Sequence, residues 1–255
     1  MKQLKWKKIK NSPNKNNFHA LFENMCAYIE INYFLTLVEC ELLVNELRVL
    51  GLKQYDYDFN ADGAPPAAHL FTTHYLYEEK SLEEYLINAN ESYKIYNNLI
   101  KKIGFDPVHK MLSFVSQIME IPVEVAQENN QPYFHCIARE LNNSVLLHPD
   151  FAPYQAPDRI ISKIISQYAW NIYLTNPKEG GVTTVYNRPW QGAQDDKIYS
   201  TETYGYNKKA VENAECASFD VNEGKLVFFN SRGSLKNRES SNFIRSKDRK
   251  KIFLW

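Results

Sequence analysis

The period of the hydrophobic pattern changes near Glu120, and this change constrains the fold more than any other feature. From Asn17 to Leu52, and again after Ser81, apolar residues recur every three or four positions, the spacing of helices that bury one face. Beyond Glu120 the apolar residues form short runs rich in Val, Ile, Tyr, Phe and Trp, separated by turns, as in strands. The pattern predicts an α+β chain with a helical first half and an antiparallel β second half.

The helix boundaries follow from breaks and capping residues. Residues 17–52 predict two helices that break near Asn32, and residues 55–68 predict a loop. Ser81 begins a capping-box pattern, and Gly104 is placed to end the helix that follows it. Pro107 is expected to begin another helix that runs to about Ile118.

The second half predicts a series of strands. These runs are residues 132–141, 144–147, 168–175, 183–186, 225–230 and 251–255, while 160–165 fits a short helix or a strand. We expect a single domain over residues 1–255, in which 1–120 form a helical buttress packed on a β core of residues 121–255.

Charge and cysteine usage limit the class of protein. The chain has 30 Lys plus Arg and 30 Asp plus Glu, so it lacks the basic excess of nucleic-acid proteins and of proteins that bind anionic lipid. No apolar run reaches the length of a membrane span. The four cysteines are far apart and form no CxxC pair, which favours reduced, mostly buried thiols and a cytoplasmic protein. These features argue against a nucleic-acid or membrane partner.

One triplet, His148-Pro149-Asp150, carries recognisable chemistry. Residues i and i+2 of a strand point to the same side, so this imidazole and this carboxylate can reach one metal ion. Such a pair is two thirds of the two-histidine, one-carboxylate site of non-haem iron oxygenases. The triplet is also common by chance, and the alternative is a His and an Asp in an ordinary turn.

The residues around the triplet make the interpretation more specific. From about Tyr133 to the C-terminus the chain resembles the iron(II)- and 2-oxoglutarate-dependent oxygenases, in particular small bacterial enzymes that hydroxylate or halogenate free amino acids. The segments that carry the resemblance are REL (139–141), HPDFAP (148–153), QYAWNIYL (167–174), GGVT (180–183), VYNR (185–188), YGY (204–206) and GKLVFFNSR (224–232).

The resemblance implies a fold, cofactors and roles for particular residues. The fold is a double-stranded β-helix, a jelly-roll relative. The cofactors are Fe(II) and 2-oxoglutarate, which with O2 oxidise an unactivated C–H bond. His148 and Asp150 match two iron ligands of the family, and a carboxylate at Asp150 favours hydroxylation, since the related halogenases have Gly or Ala there. Arg249, or else Arg245, matches the arginine that binds 2-oxoglutarate, although a solvated charge in a basic run is an equal alternative for Arg249.

The third iron ligand of the family is missing. Leu235 stands where the second histidine is expected, and none of the six histidines follows His148. Either another residue completes the site, or two protein ligands and water suffice, or the chain has lost catalysis and binds a ligand instead. The candidates for a replacement ligand are Glu239, Asn237, Asp248, His135, His69 and His74.

Further candidates lie in the matching segments and in one unassigned motif. Asn171 is a candidate for cofactor binding, and Arg139, Arg188 and Trp190 for substrate binding; ordinary structural roles are the alternative for each. Tyr204 is a further loop candidate. The TTHYLY segment (72–77) is a candidate lid or substrate wall. The sequence thus predicts an Fe(II)/2-oxoglutarate oxygenase acting on a small amino-acid-like metabolite, with a catalytically inactive binding protein as the alternative.

Overall fold

The computed structural model describes residues 5–6, 12–54, 67–77, 81–141, 146–177, 181–201, 205–237 and 251–254. Residues 54, 67, 233–237 and 251–254 are described by their backbone. The α-helices are α1 (Lys15–Phe22), α2 (Leu37–Leu50), α3 (Leu82–Ile103), α4 (Pro107–Met119), α5 (Ala152–Gln155) and α6 (Ala193–Tyr199). Short 3-10 helices cover His74–Tyr77, Ile160–Lys163 and Lys208–Val211. No described helix is both long enough and apolar enough to cross a membrane.

Twelve strands are described. They are β1 (Tyr28–Ile31), β2 (Lys53–Gln54), β3 (Ala67–Leu70), β4 (Gln127–Glu128), β5 (Gln131–Pro132), β6 (Ala138–Leu141), β7 (Ala169–Tyr173), β8 (Val182–Pro189), β9 (Cys216–Asp220), β10 (Leu226–Phe229), β11 (Gly233–Asn237) and β12 (Lys251–Leu254). A large sheet has the order β1-β10-β7-β12-β6-β3-β2, a small sheet the order β11-β8-β9, and β4 pairs with β5. All pairings between the described strands are antiparallel.

Alternation along the strands gives the large sheet two different packing faces. On β10, Leu226 and Phe228 join the core formed with the helices, whereas Val227 and Phe229 join a second core. The second core also contains Val185 of β8 and Phe219 of β9, so the small sheet covers this face of the large one. The large sheet is therefore buried on both sides, and the region between the sheets is a separate interior.

Capping residues set the helix boundaries where the sequence predicted them. The Ser81 side chain accepts a hydrogen bond from the Glu84 N–H at the start of α3, and Gly104 follows its end with a left-handed backbone. The Asp106 carboxylate accepts from two N–H groups at the start of α4, whose first residue is Pro107. The predictions for both helices are confirmed.

The first half of the chain is not purely helical, which corrects the sequence prediction. The region predicted as two helices contains α1, then β1, then α2, and β1 pairs with β10 at the edge of the large sheet. The predicted loop 55–68 lies outside the described residues up to 66, and its last two residues begin β3. Four apolar or charged residues in β1 are too few to show a strand period against a helical background.

Some elements of the second half were also missed or shortened. The strands β9 and β11 and the helix α6 had no counterpart among the predicted elements. The run 132–141 forms a strand only at its two ends, and 160–163 is a 3-10 helix. The predicted runs supply β6, β7, β10 and β12 of the large sheet, but only β8 of the small sheet.

Candidate functional site

The segment that carries His148 and Asp150 is bonded at one end to Tyr206 and at the other to Ser231, two residues before β11. Leu147 forms an isolated antiparallel bridge with Tyr206, whose N–H donates to the Leu147 carbonyl at 2.7 Å. On the other side, the Asp150 N–H donates to the Ser231 carbonyl at 2.8 Å, and the Ser231 hydroxyl donates to the Asp150 carbonyl at 3.0 Å. These bonds fix the backbone at both ends of the triplet.

The His148 imidazole and the Asp150 carboxylate face each other. His148 Nε2 lies 3.8 Å from Asp150 Oδ2, and each side chain is largely buried. His148 Nδ1 lies 2.7 Å from the Leu146 carbonyl, which can only accept, so Nδ1 carries the proton and the neutral ring keeps its lone pair on Nε2. Nitrogen and carboxylate ligands lie about 2.0–2.2 Å from a bound divalent metal, so one ion can contact both atoms at this separation. The alternative use of the pair is an imidazolium–carboxylate contact.

The structure brings no third metal-binding side chain to this pair among the residues that it describes. Those residues contain no group of three or more His, Cys, Asp or Glu placed to hold a metal ion. Leu235 lies on β11 opposite Val185, a fully buried residue between the sheets, and Asn237 lies opposite Thr183. Glu239 and Asp248 lie outside the described residues.

The three alternative histidines do not complete the site. His135 stacks on Phe134 and contacts the rings of Tyr93 and Tyr96 in the helix-side core. His69 is on β3 opposite Arg139, and its Nδ1 lies 3.2 Å from the Phe71 carbonyl. His74 stacks on Tyr75 in the first 3-10 helix. None of these positions forms a three-ligand group with His148 and Asp150.

Burial changes the proton affinity of two of these histidines. It lowers the pKa of His135 to about 4, against the smaller opposite effect of Asp106. It lowers the pKa of His74 to about 3, and the Arg159 charge adds to that effect. Both rings are therefore neutral near pH 7.

Arg139 and Asn171 lie on the face of the large sheet that meets the small sheet. Asn171 is opposite Val227, and Val227 packs between the sheets; residues opposite each other across a ladder share a face. Arg139 and Tyr173 are each opposite Phe253 of β12, which places them on that same face. Asn171 Nδ2 donates to the Tyr173 hydroxyl at 3.1 Å, whereas its buried Oδ1 has no hydrogen-bond partner in the described part of the chain.

Arg188 and Trp190 belong to a different cluster, next to α6. Both guanidinium nitrogens of Arg188 donate to the Asp195 carboxylate, one of them at 2.7 Å, and the guanidinium lies over the Tyr199 ring. Trp190 Nε1 donates to Asp196 at 3.0 Å, and its backbone bonds to Arg232. The Arg188 fork is thus used within the protein, and a substrate role for either residue stays a prediction.

Burial alone would raise the pKa of Asp195, but Arg188 and the Gln191 N–H lower it overall.

Arg249 and Arg245, the residues predicted to bind 2-oxoglutarate, lie outside the described residues, as does Tyr204. β12, which begins two positions after Arg249, lies between β6 and β7 in the large sheet.

Sequence reasoning missed the residues that hold the triplet in place. Ser231 and Tyr206 fix its backbone from two sides, and the Leu146 carbonyl sets the proton on His148. Both Ser231 and Tyr206 lie in segments that carried the family resemblance, so their supporting role had a signal in the sequence but no geometry.

Comparison with known proteins finds relatives by sequence and by structure, although no family model matches the chain. Two relatives are similar in sequence. Leucinostatins biosynthesis cluster protein S of Purpureocillium lilacinum is 29% identical over 192 residues, which cover 73% of this chain and 78% of that protein. The L-gamma-glutamyl-L-propargylglycine hydroxylase of Streptantibioticus cattleyicolor is 26% identical over 127 residues, 49% of this chain and 46% of that protein.

Solved structures resemble the whole described architecture at low identity. An N-substituted L-amino acid dioxygenase from Burkholderia ambifaria has a TM-score of 0.56 at 13% identity, covering 94% of this chain and 85% of that one. A 2OG-Fe(II) oxygenase family protein from Burkholderia pseudomallei has a TM-score of 0.50 at 12% identity, covering 100% of this chain and 93% of that one. The resemblance predicted from the sequence is confirmed: this chain has the fold of the iron(II)- and 2-oxoglutarate-dependent oxygenases.

Proposed function

We propose that the protein is an Fe(II)- and 2-oxoglutarate-dependent oxygenase that oxidises a C–H bond of a small amino-acid-like metabolite. The observation that carries the proposal is the converging pair of His148 Nε2 and Asp150 Oδ2, 3.8 Å apart, on a backbone fixed by Tyr206 and Ser231. A turn that merely contained a His and an Asp would need neither the shared direction nor the proton placement that Leu146 imposes.

We infer that the two sheets form a double-stranded β-helix. The support is the order in which the chain visits them: β6 and β7 are in the large sheet, β8 and β9 in the small one, β10 in the large, β11 in the small and β12 in the large. In chain order, the 147–150 segment comes between β6 and β7. It bonds to Tyr206 and to Ser231, which lies two residues before β11 of the small sheet. This alternation is typical of jelly-roll relatives.

His148 and Asp150 would hold the iron. Bound iron(II) and 2-oxoglutarate supply the activation of O2 that C–H oxidation requires. The protein contributes the neutral lone pair of His148 and the charge of Asp150, and the Leu146 carbonyl keeps the imidazole in the tautomer that binds metal. The Asp150 carboxylate occupies the position that a halide would need, which favours hydroxylation over halogenation.

Leu235 makes a weak metal site part of the proposal. Leu cannot bind iron, and its backbone lies on β11 opposite Val185, in the strand that continues from Ser231. We propose that water fills the third protein position, at a cost in metal affinity, because each ligand contributes to both affinity and geometry.

Roles for the other residues are part of the same proposal. Arg249, or else Arg245, would bind the distal carboxylate of 2-oxoglutarate. Asn171 would contact the cofactor by donating from Nδ2, since 2-oxoglutarate offers only acceptor oxygens, and Arg139 would contact the substrate from the same face of the large sheet. Arg188 and Trp190 are less direct candidates, because both bond to carboxylates of α6.

The substrate class comes from the named relatives. One curated relative is named as a hydroxylase of a γ-glutamyl amino acid, and one structural neighbour as a dioxygenase of N-substituted L-amino acids. We propose an amino acid or an amino acid derivative as the substrate of this chain as well.

A second candidate function is ligand binding without catalysis. It is favoured by one observation, Leu235 in place of the expected histidine, together with the lack of a three-ligand group among the described residues. In this case the fold would bind a metabolite and turn over no 2-oxoglutarate.

An anaerobic titration with Fe(II) and 2-oxoglutarate separates these functions. The oxygenase reading predicts a visible charge-transfer band that is absent in His148→Ala and in Asp150→Ala, and weakened in Arg249→Ala. Arg48→Ala, on an exposed position of α2, serves as the charge-matched control and should keep the band. The absence of a band at millimolar iron would contradict the oxygenase proposal. A band without succinate formation in air would favour the binding protein.

A further inference from the structure

The segment Phe71–Tyr77 has features that its own packing does not explain. Phe71 has a positive φ of 77°, a strained conformation for a bulky residue. Among the described residues, the buried Thr72 hydroxyl has no hydrogen-bond partner, and neither has the buried His74 Nε2. Buried polar atoms almost always have partners, so two within three residues indicate a missing one.

A buried cation lies against this segment. Arg159 is 7% exposed, donates from Nη1 to the His74 carbonyl at 3.4 Å and from Nη2 to the Tyr77 carbonyl, and lies over the Tyr85 ring at 5.6 Å. No carboxylate forms a salt bridge with it among the described residues. A guanidinium has five N–H donors, and the two backbone bonds use two of them.

This segment lies at the end of the sheets that carries Asp150. β6 and β7 both pair antiparallel with β12, so they run in the same direction and begin at the same end. β3 ends opposite Ala138, the first residue of β6, so Phe71–Tyr77 leaves the sheet at that end. The chain from Asp150 reaches the start of β7 there too.

One side chain connects the two regions directly. Gln167 accepts a hydrogen bond from the Ala152 N–H at 2.7 Å and donates to the Tyr75 hydroxyl at 3.0 Å. Ala152 is two residues from Asp150, so a single side chain links the backbone beside the candidate iron ligand to the strained segment.

We propose that Arg159, His74 and Thr72 form a carboxylate-binding site that anchors the substrate near His148 and Asp150. A guanidinium binds a carboxylate through parallel N–H groups, and a neutral imidazole N–H and a hydroxyl can donate to the same anion. This inference rests on the proposed function for the word substrate, but the binding of a carboxylate does not require iron or turnover.

The test is thermal unfolding of the metal-free protein in acetate against chloride at equal ionic strength, since acetate fits any site that accepts a carboxylate. We expect a saturable rise in Tm with acetate, and an apparent acetate affinity that falls about tenfold or more in Arg159→Gln. Thr72→Val should stabilise the ligand-free protein by removing an unpartnered hydroxyl, and at the same time weaken the acetate response. Arg48→Gln is the matched control and should respond like the unaltered protein.

Two results would overturn the proposal. They are the absence of a saturable acetate effect in the unaltered protein and an equal acetate effect in Arg159→Gln. If Arg159→Gln does not fold, Arg159→Lys and His74→Asn provide the comparison. A positive acetate result with no iron band would separate this site from the failure of the oxygenase proposal.

Discussion

The two faces of the large sheet are built from alternate residues of the same strands, yet they carry different chemistry. Towards the helices, Ile172 and Phe228 are almost completely buried in an apolar core. Towards the small sheet, Val227 and Phe229 are apolar as well, but the same face also carries Asn171 and Arg139. Stability explains the first face completely and the second only in part.

The difference indicates where function is to be sought. A buried amide without a partner for its oxygen costs free energy, and nothing in the fold of the large sheet requires an amide at Asn171. Apolar positions on these strands therefore report on folding, while polar positions between the sheets report on a ligand.

The largest expected effect comes from truncating the helix-side face. Phe228→Ala removes a ring that is 1% exposed and lies edge-on to Phe18 and Tyr168. We expect a loss of about 3–5 kcal/mol in the free energy of unfolding, from lost burial plus the cavity left behind. Urea unfolding measures it. Phe22→Ala, at a ring 40% exposed, is the control and should lose far less; equal losses would contradict the assignment of the core.

The second prediction concerns the pH dependence of the free energy of unfolding, to which His135 in the helix-side core contributes. Burial holds the pKa of His135 at about 4, against about 6.5 in the unfolded chain, so the unfolded state binds the extra proton in between. The contribution of His135 to the free energy of unfolding is therefore complete above about pH 6.5. It falls as the pH decreases, by up to about 1.4 kcal/mol per pH unit.

Comparing urea unfolding of the unaltered protein and His135→Gln between pH 6.5 and 4.5 isolates this contribution, which should reach roughly 2–3 kcal/mol. His109→Gln, on an exposed position of α4, should leave the pH dependence unchanged. A pH dependence that is identical in His135→Gln would show that the ring is not buried neutral.

The sequence predicted best those features whose signal is contiguous. Helix α3 had a cap at Ser81, an apolar period and a glycine stop, and each of these signals is local. The family resemblance added the order of the β segments. In each case local physics and the tertiary structure agree, so local reasoning was sufficient.

What the sequence could not predict depends on partners distant in the chain. β1 is a strand because β10, almost 200 positions later, offers an edge. The strain at Phe71 and the unpartnered Thr72 hydroxyl have no sequence signal at all.

The third prediction concerns the Fe(II) affinity of the candidate metal site. Leu235→His restores the ligand that the family places on this strand, whose backbone lies opposite Val185. We expect the apparent Fe(II) affinity to rise about tenfold, since one more ligand joins His148 and Asp150. Anaerobic Fe(II) titration with 2-oxoglutarate measures the change, and Leu235→Phe controls for a larger side chain. An unchanged affinity in Leu235→His would mean that this position does not reach the metal.

The smallest expected effect on stability comes from the inner face, and it is the one that separates the two faces most directly. Asn171→Leu keeps the branched shape, removes the partnerless Oδ1 and loses one hydrogen bond to the Tyr173 hydroxyl. Removing an unpaired buried acceptor offsets the lost bond, so the free energy of unfolding should change by less than about 1 kcal/mol. The same variant should weaken 2-oxoglutarate binding in the anaerobic titration, because the amide would be a cofactor contact. A loss of stability as large as that of Phe228→Ala, with cofactor binding intact, would show that the amide serves the fold, and the polar part of the inner face would then need no ligand to explain it.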